Sequence, residues 1–313
     1  MRKENLYCPN CGFTGVVSCG TYKVKRTRQI HQRYLCKGCE KKFSSTTFSN
    51  TYKDRKKDIN HEIFLLISMG VSQRDISRKL KVDFKTVKRK VLEVGEACEK
   101  YHKKHLEEAG FSISHLSMDE LLTYVKTRLK TISIVGASFA VKNGKVLKPF
   151  LVDLRVATFP PTGYVSRIYN DMLSKGVIAP RPDTRPEKIK EVLLSCKKVL
   201  IPTGTIVSDD ARGYLTLIQE TLPNITHHHY KGKKILGSAE EKIATQSLNH
   251  TFYSMRGHLR PIQRSLGRYI SKKEENLQKI LYCYICHING YDFTAIMNNY
   301  PIKVNDYAFK NAA

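Results

Sequence analysis

Residues 205–215 read TIVSDDARGYL, a short apolar β-like run, two neighbouring acids and then a stretch with helical character. Asp209 and Asp210 stand at the end of what reads as a buried strand. Aspartate is a favoured turn and helix-capping residue, so a turn is the simplest account of the pair. The chain around it carries 54 Lys+Arg against 28 Asp+Glu, a formal net charge of +26. Positive charge spread along a chain suits a polyanionic partner, nucleic acid ahead of a membrane surface. Acids at a strand end in such a chain ask for a local reason.

The flanking pattern supplies one. FSISHLSMDE (111–120) is an apolar run ending in acids. TISIVGASFAV (131–141) and VLKPFLVDLRVATF (146–159) read as two further strands joined at the turn KNGK. YVSRIYNDMLSKG (164–176) and PEKIKEVLLSCKK (186–198) are helical, TIVSD (205–209) is a fourth strand, and ARGYLTLIQETL (211–222) is a helix. NITHHHYKG (224–232) is a fifth strand, and a long helical region starts at SAEEKIATQSLNHTF (238–252). This order is that of an α/β ribonuclease-H-like domain with a mixed five-stranded sheet, expected over 111–295. In that fold strands one and four lie side by side, so Asp119 and Asp209, each read as a strand end, meet at one spot. Phosphoryl transfer on DNA uses two divalent ions roughly 3.5–4 Å apart, and Mg²⁺ takes hard carboxylate oxygens. Asp119 is expected to bridge two Mg²⁺ or Mn²⁺ ions and Asp209 to hold one. Asp210 is expected to cap the next helix.

At the amino terminus, Cys8 and Cys11 form one C-x-x-C pair and Cys36 and Cys39 a second. Two such turns complete a four-thiolate tetrahedral zinc site, which predicts a zinc ribbon over 1–46 too small to fold on its core alone. Cys19 has no partner spacing. Lys23, Lys25, Arg26, Arg28, Arg33, Lys41 and Lys42 suit phosphate contact or a solvated face. Over 55–98 the pattern predicts an all-α helix-turn-helix: a helix ending at Gly70, a second capped by Ser72 and a third capped by Asp83. The third places Lys85, Thr86, Lys88, Arg89 and Lys90 where a recognition helix enters the major groove. The start MRKENLYCPNCG lacks a signal-peptide core, and no later run reaches membrane-spanning length, which leads to the expectation of a cytoplasmic protein, nucleoid-associated when on DNA.

SMDELLTYVKTR, IVSDDARGY and LNHTFYSMRGHLRPIQRSLGRYISKK, with the zinc knuckles and helix-turn-helix ahead of them, resemble prokaryotic insertion-sequence transposases of the DDE type. The resemblance implies a multidomain enzyme that binds the terminal inverted repeats of its element as a homodimer or higher oligomer. It also implies hydrolysis at the 3′ ends and joining of the freed 3′-OH groups to double-stranded target DNA. The third metal ligand of that family is usually a Glu several residues before a Leu-Arg-like pair. Here Asn249 stands seven residues before Arg256, while Glu241 lies eight residues earlier and also fits a helix-start capping box with Ser238. Both remain candidates, as do Glu240 and a degenerate, inactive site.

Arg256, Arg260, Arg264 and Arg268 recur every fourth residue, a basic stripe that suits phosphate tracking or a solvated face, with two helices expected to meet at a bend at Pro261. On a strand, His227 and His229 face one side and His228 the other. Cys283 and Cys286 lie in the apolar run ILYCYICHI and read as packing residues. Two other readings compete with the transposase: a non-catalytic DNA-binding regulator and a structure-specific nuclease.

Overall fold

A computed structural model describes residues 6–24, 28–48, 56–108, 110, 112–124, 127–142, 145–209, 213–230, 239, 241–243, 245, 246, 248, 249, 252 and 274–298. The chain divides into two compact units, residues 1–58 with 292–313, and residues 59–291.

The first unit holds a three-stranded antiparallel sheet of β1 (Val16–Lys23), β2 (Ile30–Cys36) and β3 (Lys42–Ser44) in that order. Its buried apolar set is small. Tyr34 packs against Phe43 in a tilted pair with ring centroids 5.5 Å apart, and the Phe13 ring fills the space that a side chain on Gly38 would occupy. Too little apolar area is removed from water here to hold a fold without a cross-link or a metal. A short helix, α8 (Phe293–Asn298), also belongs to this unit.

The second unit opens with α1 (Asn60–Ser68), α2 (Gln73–Leu80) and α3 (Phe84–Glu108). Gly70 (φ 79°) ends α1, and the Ser72 hydroxyl caps α2 by accepting from the Asp75 amide at 3.1 Å. Asp83 caps α3 by accepting from the Lys85 amide at 2.8 Å. Ile63, Phe64, Ile67, Ile76, Val87, Val91 and Val94 make the buried core of this triplet. The third helix continues past residue 98 to Glu108, thirteen residues beyond Gly95, because Val94, Ala97, Cys98, His102 and Leu106 extend its buried stripe.

β4 (Ile113–Tyr124), β5 (Thr131–Lys142), β6 (Lys145–Thr158), β7 (Leu200–Asp209) and β8 (Thr226–Tyr230) form a sheet in the order β6-β5-β4-β7-β8. β4, β5 and β6 are antiparallel, and β7 and β8 run parallel to β4. The expected hairpin is present, with Lys142 paired to Lys145 across Asn143-Gly144. One face packs on α5 (Arg185–Lys197) and α6 (Tyr214–Thr221), where Leu116, Met118, Val135, Ala137, Ile206, Val192, Leu193 and Ile218 share a core. α4 (Tyr164–Ser174) precedes α5.

α7 (Glu274–Ile288) joins the helical triplet to the sheet. Gly95 of α3 lies so close to α7 that a Cβ there would sit 2.6 Å from the Lys279 carbonyl oxygen. Cys283 and Cys286 are buried in this contact, as packing residues should be. On the other side, the Gln278 amide accepts from the Val156 N–H (2.9 Å) and donates to the Leu154 carbonyl (2.7 Å). Asn289, just past α7, does the same for both backbone groups of Leu151 at 2.8 and 3.0 Å. These amides satisfy edge groups of β6 that would otherwise invite another strand. Among the described residues no helix is long and apolar enough to cross a membrane.

Candidate functional site

In the amino-terminal unit, the loop carrying Cys8 and Cys11 faces the β2–β3 turn carrying Cys36 and Cys39. Each knuckle closes with an amide four residues on: Gly12 N–H donates to the Cys8 carbonyl and Glu40 N–H to the Cys36 carbonyl, both at 2.9 Å. Gly12 (φ 72°) and Glu40 (φ 56°) supply the left-handed turn this requires. The ligand atoms of the four cysteines all lie within 4.8 Å of one another. Cys8 and Cys39 Sγ are 3.6 Å apart, as are Cys11 and Cys36 Sγ. That is too far for a disulfide, whereas four sulfurs 2.3 Å from a tetrahedral zinc lie about 3.8 Å apart. The cluster is thus able to hold a structural zinc. Within the cluster the Lys41 amide hydrogen-bonds Cys39 and lowers its thiol pKa to about 6, whereas burial raises that of Cys8 and Cys11 is raised to about 12. Cys19 lies apart from the cluster, as its spacing implied.

On the helical triplet, Lys85, Lys88 and Arg89 are exposed and Thr86 half-buried at the start of α3; Arg89 pairs with Glu93 at 3.3 Å. Lys90 is a correction. It is 0% exposed and donates from Nζ to Asn60 Oδ1 at 2.6 Å, so it ties α3 to α1 and does not face a ligand. Its position explains this: Lys90 falls on the stripe of Val87, Val91 and Val94, which every turn of α3 turns inward.

The two sheet acids come together through strand register. β4 and β7 are paired with Ser117 opposite Val207, so two residues further on Asp119 and Asp209 stand level on adjacent strands. The period of two puts both on one face. Asp209 ends β7, but Asp119 does not end β4, which continues for five residues to Tyr124 against β5. The apolar Leu121 and Leu122 extend the antiparallel ladder, and what stops beside Asp119 is the parallel pairing with β7. Both aspartates are half-buried.

Helical residues meet that face at two places. Ala239, Glu241–Ile243, Thr245, Gln246, Leu248, Asn249 and Phe252 are helical, with Glu241, Thr245, Leu248 and Phe252 buried along one stripe. At one end Glu241, 3% exposed, meets His228 of β8, Oε1 to Nδ1 at 2.7 Å. At the other end Phe252 lies over β5 against Gly136, where a Cβ would be 2.8 Å from its Cζ. Gly136 is paired with Asp119, and His228 with Val207, so both anchors lie on the aspartate face. Asn249 is exposed, off the buried stripe. Among the described residues the four cysteines are the one group of three or more His, Cys, Asp or Glu close enough to share an ion, so Glu241 is not gathered with Asp119 and Asp209. Asp210, Ser238, Glu240, Arg256, Arg260, Pro261, Arg264 and Arg268 lie outside the described residues. The alternation expected of the histidines holds: His227 Nε2 meets Ser208 Oγ at 2.8 Å and its ring neighbours His229, while His228 turns the other way.

On the opposite face of β4, sequence reasoning passed over Glu120 and Tyr214. Glu120 accepts from the Ser133 hydroxyl at 2.5 Å. The Tyr214 hydroxyl is buried beside Glu120. Burial first, then the charges of Glu120, Asp119 and Asp209, hold its pKa well above the usual phenol range. One neutral phenol therefore senses three acids, two within β4 and one at the end of β7. The signal in the sequence was the second acid of MDE and the tyrosine five residues after Asp209.

No protein-family model matches the chain. It is 32% identical over 87 residues to the insertion element iso-IS1N protein InsA of Shigella dysenteriae, covering 28% of this chain and 88% of InsA. It is 30% identical over 131 residues to an uncharacterized protein in transposable element ISH50 of Halobacterium salinarum, covering 41% of this chain but 39% of that protein. The cysteine cluster, the helical triplet with its exposed basic start and these two relatives agree: the chain belongs to the insertion-element proteins related to InsA.

Proposed function

We propose that the protein is a DDE-type transposase, which binds the ends of its element and catalyses metal-dependent 3′-end cleavage and strand transfer. The observation that carries this reading is the register of neighbouring parallel strands β4 and β7, with Ser117 opposite Val207 two residues before Asp119 and Asp209, in a sheet ordered β6-β5-β4-β7-β8. That order is the one expected of a ribonuclease-H-like domain. Two half-exposed carboxylates about 4.8 Å apart in strand spacing suit hard divalent cations. Mg²⁺ or Mn²⁺ held there supplies activation of the attacking oxygen and charge stabilisation on the leaving one.

The rest is the work of the chain. Lys85, Thr86, Lys88 and Arg89 contact DNA from the start of α3, the exposed lysines and arginine meeting phosphates or base edges in the major groove. The zinc module presents Lys23, Arg28, Arg33, Lys41 and Lys42, all exposed, as a second grip. Asn249 is the third site residue. The segment anchored on β8 and β5 must pass over β7 and β4, and Asn249 lies three residues, about 4.5 Å of helix, before the β5 anchor. One strand spacing from β5 is β4, the strand of Asp119. Glu241, by contrast, is engaged over β8.

The test uses duplex DNA carrying the sequences that flank the coding region, with Mg²⁺ or Mn²⁺. Wild type is expected to nick the 3′ ends and join them to a second duplex, and Asp119→Asn and Asp209→Asn to bind that DNA and do neither. Cutting without joining would instead establish a nuclease, and binding without either reaction a regulator. Full activity in both Asp variants refutes the site.

A further inference from the structure

The buried carboxylate of Glu241 is the least expected group on the aspartate face. A carboxylate on the helix that crosses a metal site invites the role of ligand, yet this one is turned to an edge strand. We propose that Glu241 and Phe252 are positioning residues, two anchors that stretch the helical segment across the sheet and so fix Asn249 beside Asp119. The inference rests on the two-aspartate reading above and deepens it.

The dimensions agree. β5 and β8 are three strand spacings apart, roughly 14 Å, close to the roughly 16 Å that helical rise gives between positions 241 and 252. At the β8 end the hold includes a polar, directional contact, the hydrogen bond from His228, whose own side chain is half exposed. At the β5 end it is steric. Gly136 has ordinary backbone angles, so its lack of a side chain is used for space, and the Phe252 ring and a Leu154 methyl both come within 2.8 Å of where a Cβ would stand. Glu241, Thr245, Leu248 and Phe252 fall at helical spacing on the buried stripe between the anchors. A ligand must be held to within about half an ångström of its productive place, and an uncharged amide has no long-range attraction to bring it there. An Asn ligand needs such a scaffold more than a Glu would.

The roles of anchor and ligand separate in the full-length protein because Gln keeps the hydrogen bond and loses the charge. Glu241→Gln is expected to cleave flanking-sequence DNA within about threefold of wild type, with the same half-saturating Mn²⁺. Glu241→Ala and His228→Ala are each expected to lose between tenfold and about 100-fold in rate, the cost of a misplacement near 1 Å. The double variant should be no worse than Glu241→Ala alone, since Glu241→Ala already removes the contact with His228. Gly136→Ala should lose activity by a similar factor and recover part of it when combined with Phe252→Leu. DNA affinity, read in the same samples, should not move, and melting curves exclude unfolded variants. Loss of cleavage in Glu241→Gln with a raised Mn²⁺ requirement, while Asn249→Ala stays active, would make Glu241 the ligand and overturn the inference with the aspartate reading intact. Activity in Asp119→Asn and Asp209→Asn overturns both. Additive losses in Glu241→Ala and His228→Ala also refute the anchor.

Discussion

His102 gives a pH dependence whose size follows from its surroundings. It lies on α3 between the helical triplet and the sheet, with Nε2 at 2.7 Å from the Val152 carbonyl and Nδ1 at 3.1 Å from the Tyr291 hydroxyl. Burial lowers its pKa from 6.5 to about 4, outweighing the Val152 carbonyl and Asp153, which raise it, while His105 and Arg155 lower it further. The folded protein thus keeps His102 neutral where the unfolded chain takes up a proton. The unfolded state binds more protons between about pH 6.5 and 4, so stability falls as pH falls through that window. From pH 7 to 5 the loss integrates to about 2 kcal/mol. The assay is urea unfolding at pH 7, 6 and 5 of wild type and His102→Gln, which can still donate to Val152 but cannot titrate. Other titrating groups, including the lowered His105 and His227, act alike in both chains and cancel in the difference. Wild type should lose about 2 kcal/mol more than the variant over that span. Parallel curves would mean that His102 is solvated or already charged, and the account of α3 docked on β6 through a neutral imidazole would fail.

Lys90→Ala should lower stability by about 3 kcal/mol, because it strips a fully buried ammonium and leaves Asn60 without that partner, and should leave the salt dependence of DNA binding unchanged. Lys88→Ala should do the reverse, altering stability by less than about 0.5 kcal/mol while lowering the salt slope by about one; equal slopes would remove Lys88 from the interface. Stripping metal with a chelator, or Cys11→Ser, should increase protease cleavage and amide exchange in residues 6–48 with those of 59–291 unchanged, as expected if the first unit relies on its thiolate cluster. Gly95→Ala should cost several kcal/mol in melting experiments, since a Cβ there meets backbone and not a movable side-chain tip. A variant that melts like wild type would show that α3 and α7 are not in close contact.

Local signals in the sequence served the fold well. The paired C-x-x-C spacings, the caps at Ser72 and Asp83, the KNGK turn and the β-branched runs each depend on residues within a few positions, and all are where those residues imply. The misses have one kind of cause. Asp119 was set at a strand end because it is the first acid after an apolar run, yet Leu121 and Leu122 keep the antiparallel ladder going. Lys90 was grouped with its basic neighbours, although its spacing from Val87 and Val94 puts it on the inward stripe. In both cases composition was allowed to outvote periodicity.

The choice between Asn249 and Glu241 was beyond reach for a different reason. Each is one polar residue on an amphipathic helix, and no local rule says which strand a helix residue overlies. Where the helical residues meet the sheet depends on Gly136, 116 positions before Phe252, and on His228, whose side of the sheet is set by pairing with β7. A glycine opposite an aspartate looks like a weak point in a strand. Beside Phe252 it is a socket, and the same register that brings Asp209 level with Asp119 turns His228 toward Glu241. Strand register therefore does two jobs on this face, setting Asp119 and Asp209 at corresponding positions of neighbouring strands and turning His228 to the side where Glu241 meets it.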